Sequence, residues 1–184
     1  ADLGFGFSGS IDDNLNMSLQ VTNGEGYKKL QGDKFHKISF NTTYVSKLNQ
    51  NDGYNAGFIY STEASELNPT NMIGWFGGFY NSRLRIGIEY NKLQQRGSIY
   101  GNLLSISTTY HLKDKIDLFV RYDRNKEFSD PEKIYSDYYT IAGILFNCGK
   151  GISVSPNWRV ISSGENSIYS ADVNEFKVNF EFKF

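Results

Sequence analysis

Apolar and polar residues alternate with a period of two along almost the whole chain, and the last segment shows this most clearly. There, Phe176, Val178, Phe180, Phe182 and Phe184 alternate with Glu175, Lys177, Asn179, Glu181 and Lys183. Successive side chains of a β-strand point to opposite faces of its sheet, so this period predicts strands with one apolar and one polar face. Helical periodicity is scarce, and 13 Tyr and 14 Phe with only 3 Pro also favour β-structure. We therefore expect an all-β fold.

Eleven segments with this alternation follow one another in a single domain of 184 residues. They cover residues 3–7, 15–21, 37–44, 54–60, 72–81, 83–90, 100–110, 116–123, 136–147, 152–160 and 175–184. Most approach the roughly 9–11 residues that a tilted strand needs to cross a bilayer. The facing of residues 72–81 stays open, because aromatic residues and glycines occupy both sets of positions. No run of about 18 apolar residues predicts a transmembrane helix.

A soluble β-sandwich also has short alternating strands, and two features favour a transmembrane barrel instead. Tyrosines stand near strand ends, as an aromatic girdle requires: Tyr44, Tyr60, Tyr90, Tyr110 and Tyr122. The connections also alternate in length. The short ones are 11–14, 49–53, 81–82, 113–115 and 148–150, and the long ones are 23–34, 62–71, 91–98, 125–134 and 162–172. Short periplasmic turns and longer extracellular loops are typical of outer-membrane barrels.

We therefore expect an antiparallel transmembrane β-barrel in a bacterial outer membrane. The last connection is long and therefore expected on the extracellular side. The final strand then runs from the extracellular to the periplasmic side, which places the C-terminus in the periplasm. Counting back eleven strands, the first strand also descends, whereas bacterial barrels normally have an even strand number. Two explanations stay open: the crossings in 1–22 or 72–90 are miscounted, or the chain lacks N-terminal strands of a barrel with 12 to 18 strands. We favour the second.

Two segments resemble known outer-membrane proteins. Residues 176–184, with a terminal Phe184 and apolar residues at alternate positions before it, resemble the signal read by the outer-membrane assembly machinery. Residues 1–4 and 21–27 resemble an interior hairpin and loop of porin-like proteins of Gram-negative bacteria, loosely the phosphate-selective porins. The resemblance implies a passive channel for small hydrophilic solutes, often trimeric, in contact with membrane lipid and lipopolysaccharide. It implies no cofactor and transfers no particular substrate.

If the apolar positions face lipid, the opposite face collects charged side chains. These are Lys37, Arg83, Arg85, Glu89, Asp117, Arg121, Asp123, Arg159, Glu175, Lys177 and Glu181. We expect Arg85, Arg121 and Arg159 to form a cationic strip along a pore that favours anions. Glu89, Asp117 and Glu181 are the expected counter-charges, and Lys177 is a further pore-lining candidate. In the alternative, these charges pair across neighbouring strands and only solvate the lumen.

Other functional classes find little support in the sequence. A net charge of -1 leaves no basic footprint for nucleic acid. His36 and His111 are the only histidines and no nucleophile elbow is present, so we expect no enzyme. Cys148 is the only cysteine, which excludes an internal disulfide, and we expect no metal. The acidic group Asp123, Glu127, Asp130 and Glu132 is interpreted as a solvated loop. The second functional hypothesis is a non-conducting barrel that interacts through its extracellular loops.

Overall fold

A computed structural model describes residues 3–23, 35–47, 52–64, 69–95, 98–130, 133–164 and 172–183 of the chain. The strands are β1 (Gly4–Ser10), β2 (Leu15–Thr22), β3 (Lys37–Lys47), β4 (Gly53–Glu63), β5 (Thr70–Tyr80), β6 (Leu84–Gln95), β7 (Ser98–Lys113), β8 (Ile116–Asp130), β9 (Lys133–Gly149), β10 (Ile152–Ser163) and β11 (Val173–Phe182). In these ranges no helix has the length and apolar character needed to cross a bilayer.

Every strand pairs antiparallel with the next strand along the chain, which gives one sheet in the order β1 to β11. The predicted all-β fold, the count of eleven strands and their antiparallel meander are confirmed. β1 and β11 are the two edges and do not pair with each other within the described residues. The sheet therefore forms an open wall, as in a partial barrel.

The register assigns the strand positions to two faces, because directly opposed residues on neighbouring strands share a face. Ile88 of β6 opposes Ile106 of β7, which in turn opposes Tyr122 of β8. This apolar face continues across the sheet. Its large, exposed side chains include Phe5, Phe7, Leu19, Ile38, Trp75, Phe79, Ile86, Ile88, Ile106, Leu118, Val120, Trp158, Phe176, Val178, Phe180 and Phe182. The other side is the polar face. For β5, whose facing the sequence left open, pairing places Trp75 and Phe79 on the apolar face and Phe76 and Tyr80 on the polar face.

No large apolar side chain is buried among the described residues. A β-sandwich packs the apolar faces of two sheets into a core, and no such second layer covers this sheet. Soluble monomers rarely expose contiguous apolar patches larger than a few hundred Å². An apolar face that extends over eleven strands is instead the arrangement found on the lipid side of membrane barrels.

Two predicted long connections are wrong, because most of their residues belong to strands. β6 extends to Gln95 before β7 begins at Ser98, and β8 extends to Asp130 before β9 begins at Lys133. The acidic residues Asp123, Glu127 and Asp130 therefore lie on β8, whereas Glu132 lies outside the described residues. β7, β8 and β9 reach 16, 15 and 17 residues, against 7 for β1. In these extensions the backbone hydrogen bonds between strands continue although the apolar alternation ends. Strand pairing does not require apolar side chains beyond the part of the sheet that is covered by apolar residues.

The short connections at the opposite end of the sheet contain turn-forming side chains. The Oδ1 of Asp12 accepts hydrogen bonds from the backbone N–H groups of Asn14 and Leu15, each at 2.7 Å. Asn81 closes the turn before β6 in the same way, accepting from the N–H groups of Arg83 and Leu84 at 2.8 and 2.7 Å. Arg83 lies beside this turn, just before β6, and lines the polar side of the sheet together with Arg85 and Asp117.

Candidate functional site

The polar face is concave from β4 to β8. Side chains of five strands line an open cavity of about 770 Å³ there, among them Asn55, Tyr80, Arg85, Glu89, Ser105 and Arg121. Alternation produces this lining, because each strand turns its small or hydrophilic residues to one side only. Glycine and serine leave room in the cavity, and the arginines supply charge.

Arg85 is the pore-lining candidate with the least neutralised charge. It lies on β6 between Tyr80 of β5 and Thr109 of β7, and it is exposed. Within the described part of the chain its guanidinium has no hydrogen bond and no ion pair. It therefore presents a full positive charge to the cavity.

Arg121, in contrast, is held by its neighbour on β8. Its Nε donates to both carboxylate oxygens of Asp123 at 2.9 Å, and the Asp123 side chain is only 16% exposed. The two residues are separated by one position along the strand, so they lie on the same face. Their charges largely cancel at a distance, which makes Arg121 a weaker attractor of anions than Arg85.

Arg159 of β10 is stabilised by an aromatic ring. Its guanidinium carbon lies 5.8 Å from the centre of the Tyr139 ring, within the range of a cation–π interaction. Its Nε is buried and has no hydrogen-bond partner among the described residues. Its cross-strand neighbour Glu175 is bound instead to Lys177 at 2.7 Å.

The three predicted arginines lie on alternate strands and do not touch. Arg121 and Arg159 both oppose Ile141 of β9, so about 10 Å separates their backbones. Arg85 lies two strands away from Arg121, displaced by one same-face position, because Gly87 and Arg121 both oppose Ser107. The sheet thus separates the arginine backbones by about 10 Å between Arg121 and Arg159 and by about 12 Å between Arg85 and Arg121, so they do not form a compact cluster.

The predicted counter-charges are engaged close to their own positions. Glu89 accepts a hydrogen bond from the Nδ2 of Asn91 at 2.6 Å. Asp117 contacts the Nδ1 of His111 at 2.6 Å, and Glu181 contacts the Nζ of Lys183 at 3.3 Å. The His111–Asp117 contact joins the neighbouring strands β7 and β8, whereas the Arg121–Asp123, Lys177–Glu175 and Lys183–Glu181 pairs each join residues two positions apart in sequence. Contacts across strands and contacts along the chain therefore both occur among these charges.

Two phenylalanines on the polar face were not anticipated as site residues. Phe76 lies directly opposite Gly57, and Phe119 lies directly opposite Gly143. A Cβ added to Gly143 would come within 2.7 Å of the Phe119 ring and 2.6 Å of the Pro156 carbonyl oxygen. Each ring therefore covers a glycine of the neighbouring strand. The register alone reveals these pairs, since the two partners are far apart in sequence.

The predicted assembly signal lies on the edge strand β11. Phe176, Val178, Phe180 and Phe182 are exposed on the apolar face, and Phe184 lies outside the described residues. Phe176 opposes Trp158 of β10, and Val178 opposes Pro156. One long side of β11 is covered by β10, and the other has no neighbouring strand among the described residues.

Comparison with solved structures shows the fold. OccAB2 of Acinetobacter baumannii has a TM-score of 0.75 and 10% identity, with 96% of this chain and 53% of that chain covered. OprD of Pseudomonas aeruginosa has a TM-score of 0.72 and 12% identity, with 96% and 59% covered. The NanC porin has a TM-score of 0.52 and 11% identity, with 97% and 91% covered. The chain thus has the porin-like fold of outer-membrane β-barrels and spans little more than half the length of OccAB2 and OprD.

No protein-family model matches the sequence, and no curated protein matches it either. At identities of 10–12%, these structures show the fold of this chain but do not show its substrate.

Proposed function

We propose that the chain forms the wall of a bacterial outer-membrane channel through which small hydrophilic solutes diffuse passively. The observation that carries this proposal is the combination of an exposed apolar face with a concave, charged face on the same eleven strands. Lipid covers the first face and water fills the space in front of the second. The NanC structure, which is that of a porin, supports the same reading by its fold.

Closure of the barrel requires partners for the edges of β1 and β11. Exposed strand edges do not occur in the hydrocarbon region, because unpaired backbone groups there cost several kcal/mol each. Strands beyond this sheet, in the barrel of 12 to 18 strands expected from the sequence, would supply these partners. The larger number matters for function, since about 8 strands leave a lumen filled by side chains and 16–18 leave an aqueous channel.

The expected orientation places the C-terminus in the periplasm. Support comes from the arrangement of the connections: the intervals 23–36 and 164–172 lie at the same end as the extended β7, β8 and β9 hairpins. Outer-membrane barrels carry their longer connections on the extracellular side. The outer-membrane assembly machinery is the proposed partner of β11 before the barrel closes. The trimeric state remains a prediction that rests only on the resemblance to porins.

Preference for anions is the finer part of the proposal. Unpaired Arg85 supports it, as does Arg159, which has no carboxylate within ion-pair distance in the described residues. Charged side chains along a pore set its ion preference. Arg121 contributes less, because Asp123 neutralises it.

Conductance across a planar lipid bilayer tests the channel. Purified protein in its full-length form should insert and give discrete current steps, and the same preparation unfolded by boiling in detergent should give none. A folded, membrane-inserted preparation without current steps would overturn the channel and favour the non-conducting barrel. Reversal potentials in a salt gradient then test the ion preference, and a cation-selective reading would overturn that part alone.

A further inference from the structure

The apolar face carries a compact group of cations near the end of the sheet opposite the short turns. Between the strand-end bulges, the charged residues of this face within the described part of the chain are Lys92 of β6 and Arg124 and Lys126 of β8. No Asp or Glu occupies the corresponding positions of the described strands. We call these three residues the outer cation cluster.

The register brings the cluster together. Lys92 and Lys126 both oppose Asn102 of β7, one from each side, so their backbones are about 10 Å apart. Arg124 follows on the same face of β8, about 7 Å along the strand from Lys126. The three side chains are anchored on β6 and β8, on the two sides of β7, and lysine and arginine are long enough to span much of the distance across Asn102.

None of the three cations is neutralised within the described residues. None forms an ion pair with a described carboxylate. The Nε of Arg124 is buried and has no hydrogen-bond partner among the described residues. Three cations without a carboxylate partner on one face attract an anionic group from outside the sheet.

Aromatic rings border the cluster on the side toward the apolar zone. The rings of Trp75 and Tyr90 stack with centroids 6.3 Å apart, and those of Tyr122 and Tyr138 stack at 6.4 Å. Arg124 directly opposes Tyr138. Tyr and Trp concentrate at the boundary between hydrocarbon and headgroups, so the cluster lies at the level of the headgroups.

We propose that the outer cation cluster binds the phosphate groups of a phosphorylated glycolipid, the lipid A part of lipopolysaccharide, in the outer leaflet. Cations at headgroup level recognise anionic lipid headgroups, and arginine and lysine are well suited to phosphate. This inference rests on the membrane placement and orientation of the proposed function, and it does not depend on conduction. It gives the generic lipopolysaccharide contact expected of such a barrel a defined site.

Native mass spectrometry of the full-length protein in detergent tests the site with bisphosphorylated lipid A as the probe. The variant Lys92→Gln/Lys126→Gln removes two cluster cations. Lys113→Gln/Lys115→Gln is the matched control, because it removes two exposed lysines beside the turn at the other end of the sheet. Charge-assisted hydrogen bonds are strong enough that we expect about tenfold weaker binding per removed cation, about 100-fold for the pair.

The expected result is tight binding by the wild type and by Lys113→Gln/Lys115→Gln, with loss in Lys92→Gln/Lys126→Gln and retention in the charge-conserving Lys92→Arg/Lys126→Arg. The last variant separates lost binding from lost folding. Equal binding of dephosphorylated lipid A would overturn the proposal. So would a preference of the cluster for phosphatidylglycerol, which belongs to the inner leaflet, or binding of inorganic phosphate as tight as that of lipid A. If the protein binds lipid A in a phosphate-dependent way but gives no conductance, the proposed channel function is overturned and the proposed lipid A site is supported.

Discussion

The apolar face and the polar face are built from the same strands. They differ in how many charged side chains they carry. The polar face tolerates cations and anions in mid-strand, as the Arg121–Asp123 and Lys177–Glu175 pairs show. Between the strand-end bulges, the described positions of the apolar face carry no charged side chain apart from the outer cation cluster. This difference indicates that contact with lipid or with water determines the residue type at each position. Packing in a core does not, because no large apolar side chain is buried among the described residues.

Charge placed in the middle of the apolar face should give the largest effect. Ile88 lies on β6 opposite Ile106 and is 50% exposed, whereas Ser107 on the neighbouring strand belongs to the polar face. We expect Ile88→Lys to lower the free energy of unfolding in lipid vesicles by about 2–4 kcal/mol. Ser107→Lys, a matched control one position from Ile106, should stay near the wild type. Equal losses in the two variants would erase the distinction between the faces.

Gly143 offers a test of how closely the polar face is packed. A Cβ there meets the Pro156 carbonyl oxygen at 2.6 Å, and backbone cannot move aside cheaply. We expect Gly143→Ala to cost about 1–3 kcal/mol in chemical denaturation. Gly77→Ala on the apolar face, where the nearest atom lies at 3.6 Å, should be neutral or slightly stabilising. A neutral Gly143→Ala would show that Gly143 is not closely packed between the Phe119 ring and the Pro156 carbonyl oxygen.

Arg85 and Arg121 distinguish a free cation from a paired one on the polar face. An anion 4 Å from an isolated cation in water gains about 1 kcal/mol, about a fivefold rise in local concentration. We expect Arg85→Gln to move the reversal potential in a salt gradient toward cation preference. Arg121→Gln removes a cation and leaves the Asp123 carboxylate without its partner. The reversal potential should therefore shift in the same direction, and part of this shift comes from the negative charge of Asp123. The double variant Arg121→Gln/Asp123→Asn should therefore behave nearly as the wild type. A selectivity unmoved by Arg85→Gln would remove the basis for anion preference.

The smallest effect is expected where a pair on the polar face is open to water. Lys183 and Glu181 contact each other at 3.3 Å with side chains 73% and 58% exposed. Exposed ion pairs contribute about 0–1 kcal/mol, so Lys183→Gln should leave the unfolding midpoint within about 0.5 kcal/mol of the wild type. A larger loss would mean that this end of β11 is enclosed in the complete barrel.

The sequence predicted the strands well where the chain crosses the apolar zone. Phe176 to Phe182 and Leu84 to Tyr90 alternate because lipid and water select opposite residues there. The sequence failed at residues 91–95 and 125–130, which it predicted as connections, because a hydrogen-bonded ladder in water accepts polar side chains on both faces. It also left the facing of Trp75 open, because only pairing with Tyr90 resolves it.

For the candidate site, the sequence identified the charged residues but not their partners. The face of Arg85 and Arg159 followed from alternation. The sequence does not show that Asp123 neutralises Arg121. It also does not show that the Tyr139 ring lies beside Arg159 while the neighbouring Glu175 binds Lys177, because these contacts depend on side-chain reach and on register between strands. Register is set by pairing between distant segments, which single-strand periodicity does not contain.

Lipid contact measured residue by residue along β6 tests the two-faced wall most directly. Each position from Arg85 to Tyr90 is replaced in turn by cysteine in a Cys148→Ser background, because Cys148 is free and exposed. A fluorophore on each cysteine is then exposed to brominated lipid. We predict strong quenching at positions 86, 88 and 90, which face lipid, and weak quenching at positions 85, 87 and 89, which face the lumen. Uniform quenching at all six positions, or no quenching at any, would contradict it.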